Sequence, residues 1–219
     1  MATSSVFRWL DGRGWLVFAG EEDCSGSVRA QALGRMAAAD AIVAYIWLGG
    51  DSAVGQRALD DMEELGAPSG YLVDVLSEDD ETVVSKLSDA GMIVIESMAD
   101  VEQLRSALLG AAIEGIQAAF SNGAVILVEG FSIITFGAWI SLSSGNFKDG
   151  LEWIQSALLL PTDSGIADIN AVRTLLADEP AAIAVGIGSG SALALGPGGE
   201  LELWGTQHVT VALGSFYTS

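Results

Sequence analysis

Short apolar runs alternate with amphipathic stretches through the first two thirds of this chain. Residues 15–19 (WLVFA), 41–48 (AIVAYIWL), 71–76 (YLVDVL), 92–95 (MIVI) and 124–128 (AVILV) are too short for helices and rich in β-branched or aromatic residues. They read as strands, most of them buried on both faces. The intervening stretches carry a helical period. Residues 27–38 are an Ala-rich helix. A second follows Asp51 or Ser52, either of which can cap it, with Leu59, Met62 and Leu65 on one face and Asp60, Asp61, Glu63 and Glu64 largely outward. Glu78-Asp79-Asp80-Glu81 opens a third, whose acidic first turn suits the helix dipole and whose Val83, Val84 and Leu87 point inward. Two more align Val101, Leu104 and Leu108, then Ile113, Ile116 and Phe120, while Gly66 (with Pro68 beyond it), Gly91 and Asn122-Gly123 supply the stops.

Strands and helices in strict alternation predict a mostly parallel sheet covered on both faces. Beyond residue 150 the pattern changes. Residues 151–160 end in an apolar strand, and 163–177 read as a helix with Ile169, Val172 and Leu176 aligned. Four short strand-like runs follow, at 182–187, 191–195, 200–204 and 208–213, separated by Gly188-Ser189-Gly190 and Pro197-Gly198-Gly199. These predict an antiparallel meander beside the main sheet. With no internal repeat and no long linker, residues 1–219 are expected to form one α/β domain, a three-layer sandwich.

Composition narrows the function. Half of the residues are hydrophobic and 17% are charged, with 29 acidic against 9 basic, a formal net charge of −20. Phosphate-rich partners would be repelled, which argues against nucleic acid and anionic membrane. Sparse charge leaves much of the surface apolar or small, so the expected partner is the chain itself, as a homo-oligomer or filament. No signal peptide or membrane span is read, and the single Cys24 is compatible with a cytoplasmic location. Neither a cofactor nor a metal is expected. The acidic runs at 21–23 and 78–81 lack alternating ligand spacing, and Gly186-Ile187-Gly188-Ser189-Gly190 reads as a turn rather than a phosphate loop.

Residues 123–137, GAVILVEGFSIITFG, hold the stretch where chemistry belongs. A buried strand ending in a sharp turn is where α/β hydrolases and amidotransferase-like enzymes mount a nucleophile. The turn position here is Gly130, which has no side chain. WLVFAG, LDDMEELGAP, GAAIEGIQAAFSNGAVIL, DEPAAIAVGIGSGSALAL and the closing VTVAL resemble the cyanophycinase and dipeptidase E-like serine peptidases over roughly residues 15–213. That resemblance implies the class I glutamine amidotransferase-like fold. It also implies a Gly-Thr-Ser-Ala-Gly-Ala nucleophile motif, whose Thr and Ser fall on Glu129 and Gly130. The family's oxyanion loop falls near Ser97-Met98-Ala99-Asp100, and its Asp-x-His segment near Leu160-Pro161-Thr162, with Thr162 in the base position. Catalytic residues are therefore not expected, and Glu129, Gly130, Ser97, Met98 and Thr162 are expected to mark a vestigial site.

Three readings stay open. The first is an inactive, self-assembling relative of these peptidases. The second is an active serine hydrolase of short or acidic peptides using Ser132, the hydroxyl nearest the turn, and His208, the only histidine. A third is a small-molecule binding module using the cleft around Glu129 and Gly130. Among six tryptophans, Trp9 and Trp139 lie in the least regular segments and are the interface candidates. Cys24, beside three acidic residues, is not read as a nucleophile.

Overall fold

The structure is a computed structural model describing residues 6–21, 26–38, 40–49, 52–142, 145–206 and 208–217. Cys24 and most of the acidic run beside it lie outside the described residues. The main sheet holds β1 (Trp15–Ala19), β2 (Val43–Trp47), β3 (Gly70–Asp74), β4 (Met92–Ile95) and β5 (Val125–Glu129), which pair in parallel in the order β1-β5-β4-β2-β3. Their predicted burial holds for β1, β4 and β5, interior strands without an exposed residue, while the outermost β3 is only half-buried.

Two helices, α1 (Ser27–Leu33) and α2 (Ser52–Glu64), cover one face, packing Val28, Ala32, Leu59 and Met62 onto Val17, Tyr45, Val94 and Leu127. The first is shorter than its alanines predict, because Gly34 ends the regular hydrogen bonding. The opposite face carries α3 (Asp80–Ser88), α4 (Val101–Leu108) and α5 (Ala111–Ser121), with Leu87, Leu104, Ile116 and Phe120 buried against Leu16, Phe18, Ile93 and Ile126. Helices thus flank a mostly parallel central sheet, as predicted.

The C-terminal third departs from a single meander. A hairpin of β6 (Trp139–Ser141) and β7 (Phe147–Asp149) precedes β8 (Ala157–Pro161), and α6 (Asn170–Asp178) follows. The predicted helix at 163–177 therefore begins later, after a one-turn 3-10 segment at Ile166–Asp168. Strands β9 (Ile183–Ile187), β10 (Ser191–Leu195), β11 (Leu201–Gly205) and β12 (Val209–Leu213) divide between two sheets. In the main sheet β10 pairs antiparallel with β1 and with β11. β9 instead lies between β8, in parallel, and β12, antiparallel, in a second sheet. Every residue of β9 and of β10 is buried, and each strand is interior in its own sheet, with a paired neighbour on both edges. The second sheet packs Ile183, Val185 and Ile187 toward the main sheet and Leu158 and Ala184 against Val172 and Leu175 of α6.

Trp9 and Trp139 are half-buried rather than exposed. Trp9 forms a β-bridge with Ile154 and leans on the central core, and Trp139 packs beside the α6 cluster. The large exposed apolar side chains lie elsewhere and include Leu201 and Leu203 on β11 and Val211 and Leu213 on β12.

Candidate functional site

The parallel strands all end at one edge of the sheet, where ligands bind in open α/β folds. At the end of β5 the chain turns sharply: Glu129 is extended, and Gly130 takes φ +55° before a 3-10 helix, Gly130–Phe136. This is the left-handed conformation an L residue enters only at a cost, and it gives the backbone a sharp strand-to-helix turn with no side chain at its tip. A Cβ built on Gly130 would lie 2.2 Å from Ser97 Oγ. Ser97 follows β4, and its hydroxyl accepts a hydrogen bond from the Phe131 N–H at 3.1 Å.

Ser132 is fully buried. Its hydroxyl donates to the Glu96 carbonyl and accepts from the Met98 N–H at 3.1 Å, fastening the segment after β4 to the elbow. Glu129, Gly130, Ser97 and Met98 therefore do meet in space. Thr162 has partners of its own: its N–H donates to the Ile187 carbonyl, its hydroxyl accepts from the Ser164 N–H, and its methyl lies near Gly186. His208 is exposed and sits beside Gly188 and Asp163. Asp163 accepts both the N–H and the hydroxyl of Ser189, which hold its carboxyl below the usual range, with the nearby His208 adding to the effect. The structure thus groups His208 with Asp163 and Ser189, and the Ser132 proton is directed to a backbone carbonyl instead.

Glu129 is paired. Arg29 of α1 donates to both of its carboxylate oxygens, at 2.8 and 2.6 Å, and also to Glu96 at 3.3 Å. Hydrogen bonding to Glu129, partly opposed by burial, holds the guanidinium above its ordinary value. Beneath them lies Tyr45, 1% exposed, with its hydroxyl directed at Glu96. Burial first, then the Glu96 charge, raises its ionisation far out of reach. Arg29, Tyr45 and Glu96 are the site residues that sequence reasoning missed. The only available signal was that a carboxylate ending a buried strand needs a cation, and nine basic residues left few choices.

Over this network opens a cleft of about 560 Å³, lined by Ala19, Gly20, Arg29, Glu96, Ser97, Glu129, Gly130 and Ser191, with Glu21, Asp61 and Glu64 nearer solvent. Among the described residues no three acidic, histidine or cysteine side chains converge to hold a metal ion, and no helix is long and apolar enough to cross a membrane.

A mostly parallel sheet between two helical layers, with antiparallel strands toward the C-terminus, is the fold of the peptidase E-like peptidases. The chain is similar over 93% of its length to 93% of a peptidase from an acI-B1 Actinobacterium, with a TM-score of 0.76 and 17% identity. It is also similar, over 88% of its length, to 98% of a putative peptidase E protein from Listeria monocytogenes EGD-e, with a TM-score of 0.64 and 14% identity. No family model matches the sequence, and no curated protein matches it.

Proposed function

We propose that this chain is a non-hydrolysing protein with the peptidase E-like fold, acting as a structural, self-associating component. The observation that carries the loss of hydrolysis is Gly130. It occupies the elbow with the backbone of a nucleophile, while Ser97 fills the space a nucleophilic side chain would need and takes up the Phe131 N–H, a donor well placed for an oxyanion. Ser132 does not substitute, because its hydroxyl is buried and spent on two backbone groups.

Self-association is supported by the two outer strands. β11 and β12 each end a sheet, and both show apolar side chains to solvent, Leu201 and Leu203 on one and Val211 and Leu213 on the other. Unpaired edges with apolar residues are places where a second chain adds. A net charge of −20 opposes that contact, so association should strengthen as salt screens it.

Light scattering across concentration and salt tests the assembly. The expected result is a mass above the monomer that grows with salt and returns to the monomer in Leu203→Glu/Val211→Glu. A monomer under every condition overturns it. Labelling by a serine-directed fluorophosphonate, or peptide hydrolysis abolished by Ser132→Ala, would overturn the loss of hydrolysis.

A further inference from the structure

The chain crosses between its two sheets twice in succession, from β9 into β10 and then from β11 into β12. The two crossings stack on one another, since β10 pairs with β11 in the main sheet and β9 with β12 in the second. Their links are hydrogen-bonded together. The Gly188 N–H donates to the His208 carbonyl, the Thr206 N–H to the Gly190 carbonyl, and the His208 N–H to the Ser191 hydroxyl. The second crossing therefore ends both sheets, and the free edges of β11 and β12 open on one side of the molecule. Leu201 and Leu203 stand opposite the buried Leu195 and Leu193, and Val211 and Leu213 opposite the buried Val185 and Ile183. Cross-strand partners share a face, and these buried four belong to the core between the sheets. The outer four prolong that core to solvent, at 37–46% exposure.

Edge strands are ordinarily guarded by lysine, proline or a bulge. β11 and β12 carry none of these, and their pairing is unbroken. From Leu203 to Ser219 the chain has no Asp, Glu, Lys or Arg. Glu202 turns to the other face, where Arg35 and the Trp204 ring N–H hold it. A basic partner would be drawn instead to the acids of α2 and α3. A copy of this chain, at −20, is repelled by those surfaces and least opposed here.

We propose that a second copy covers this side, related by a two-fold axis normal to the sheets, with β11 antiparallel to its own counterpart and β12 likewise. One axis serves both edges because the sheets are stacked, so both sheets and the core between them continue into the partner. The inference rests on the self-association proposed above and narrows it. A self-complementary face consumed by one contact gives a closed dimer, not a filament. Two edges about 17 Å long and about 10 Å apart make a face small beside the roughly 800 Å² per partner of standard interfaces, so the dimer is reversible at micromolar concentration.

Sedimentation equilibrium of the full chain at micromolar concentrations, in about 500 mM salt to screen the net charge, tests it. A single monomer–dimer equilibrium is expected. Leu203→Glu/Val211→Glu, at positions already exposed, should weaken the dimer by about tenfold or more while the monomer stays folded by circular dichroism. Leu203→Cys or Val211→Cys, each with Cys24→Ser, should give a disulfide-linked dimer under mild oxidation. Ser106→Cys with Cys24→Ser, on the exposed side of α4, should not. Three results overturn this geometry and leave self-association standing: species that grow beyond the dimer, a dimer indifferent to the two glutamates, or a dimer that neither edge cysteine links. A monomer at every concentration and salt overturns both.

Discussion

Ser97 stands where a side chain on Gly130 would go. A Cβ at residue 130 would lie 2.2 Å from the Ser97 hydroxyl and 2.4 Å from its Cβ, closer than atoms can approach. One residue lacks the side chain, and the other occupies the volume that it would fill.

Restoring a serine at this turn is therefore expected to need two changes. Gly130→Ser alone meets both the Ser97 clash and the positive φ, and the conformation by itself costs about 1 kcal/mol or more. Ser97→Gly removes the clash and leaves the strain. In urea denaturation the double variant Ser97→Gly/Gly130→Ser should be clearly more stable than the sum of the single changes, a coupling on the order of 1–2 kcal/mol. Additive behaviour would mean that Ser97 simply swings aside.

Ser132→Ala is expected to act on stability. The hydroxyl joins the Glu96 carbonyl to the Met98 N–H inside the protein, and no water reaches it there. Removing it strands both groups, for about 1–3 kcal/mol. Thermal and chemical denaturation check this. A variant as stable as the parent would show that the segment after β4 is held by other contacts.

What the sequence displayed was periodicity, and what it concealed was pairing. The strands at 15–19, 92–95 and 124–128 were legible because interior parallel strands are apolar on both faces. The fate of 183–187 and 191–195 was not, since two doubly buried runs joined by a glycine turn read the same whether they lie in one sheet or two. Trp9 and Trp139 are interface candidates because their segments lack a period, yet irregular backbone also packs, and both are half-buried against cores. Gly130 was legible as a missing side chain. Arg29 lies one hundred positions from Glu129, and no local pattern connects them.

Asp79 gives a pH dependence with a definite sign. It caps α3, accepting the N–H and the hydroxyl of Thr82, and these bonds hold its carboxyl below the usual 3.8. A lowered carboxyl favours folding when ionised, so its contribution is full above about pH 4 and fades as pH falls through the lower folded value. Asp79→Ala should melt earlier than the parent near neutral pH, and the gap should close as acid protonates the carboxyl in the folded protein as well. A gap that persists in acid would show that the cap works through packing rather than charge.

Arg29 is expected to be the cation whose loss is felt most. Its partner Glu129 keeps 15% of its side-chain surface and ends a strand buried in the sheet, so an uncompensated charge there has little water to fall back on. Glu96, at 36%, is better solvated and should adapt. Arg29→Gln should cost about 2 kcal/mol, less than for a fully enclosed pair because the cleft admits solvent. Adding Glu129→Gln removes the stranded charge and should recover much of that loss in guanidinium chloride melts. Recovery is the deciding measurement: if the double variant is no more stable than Arg29→Gln, the guanidinium serves α1 through its packing, and the ion pair with Glu129 is incidental to the fold.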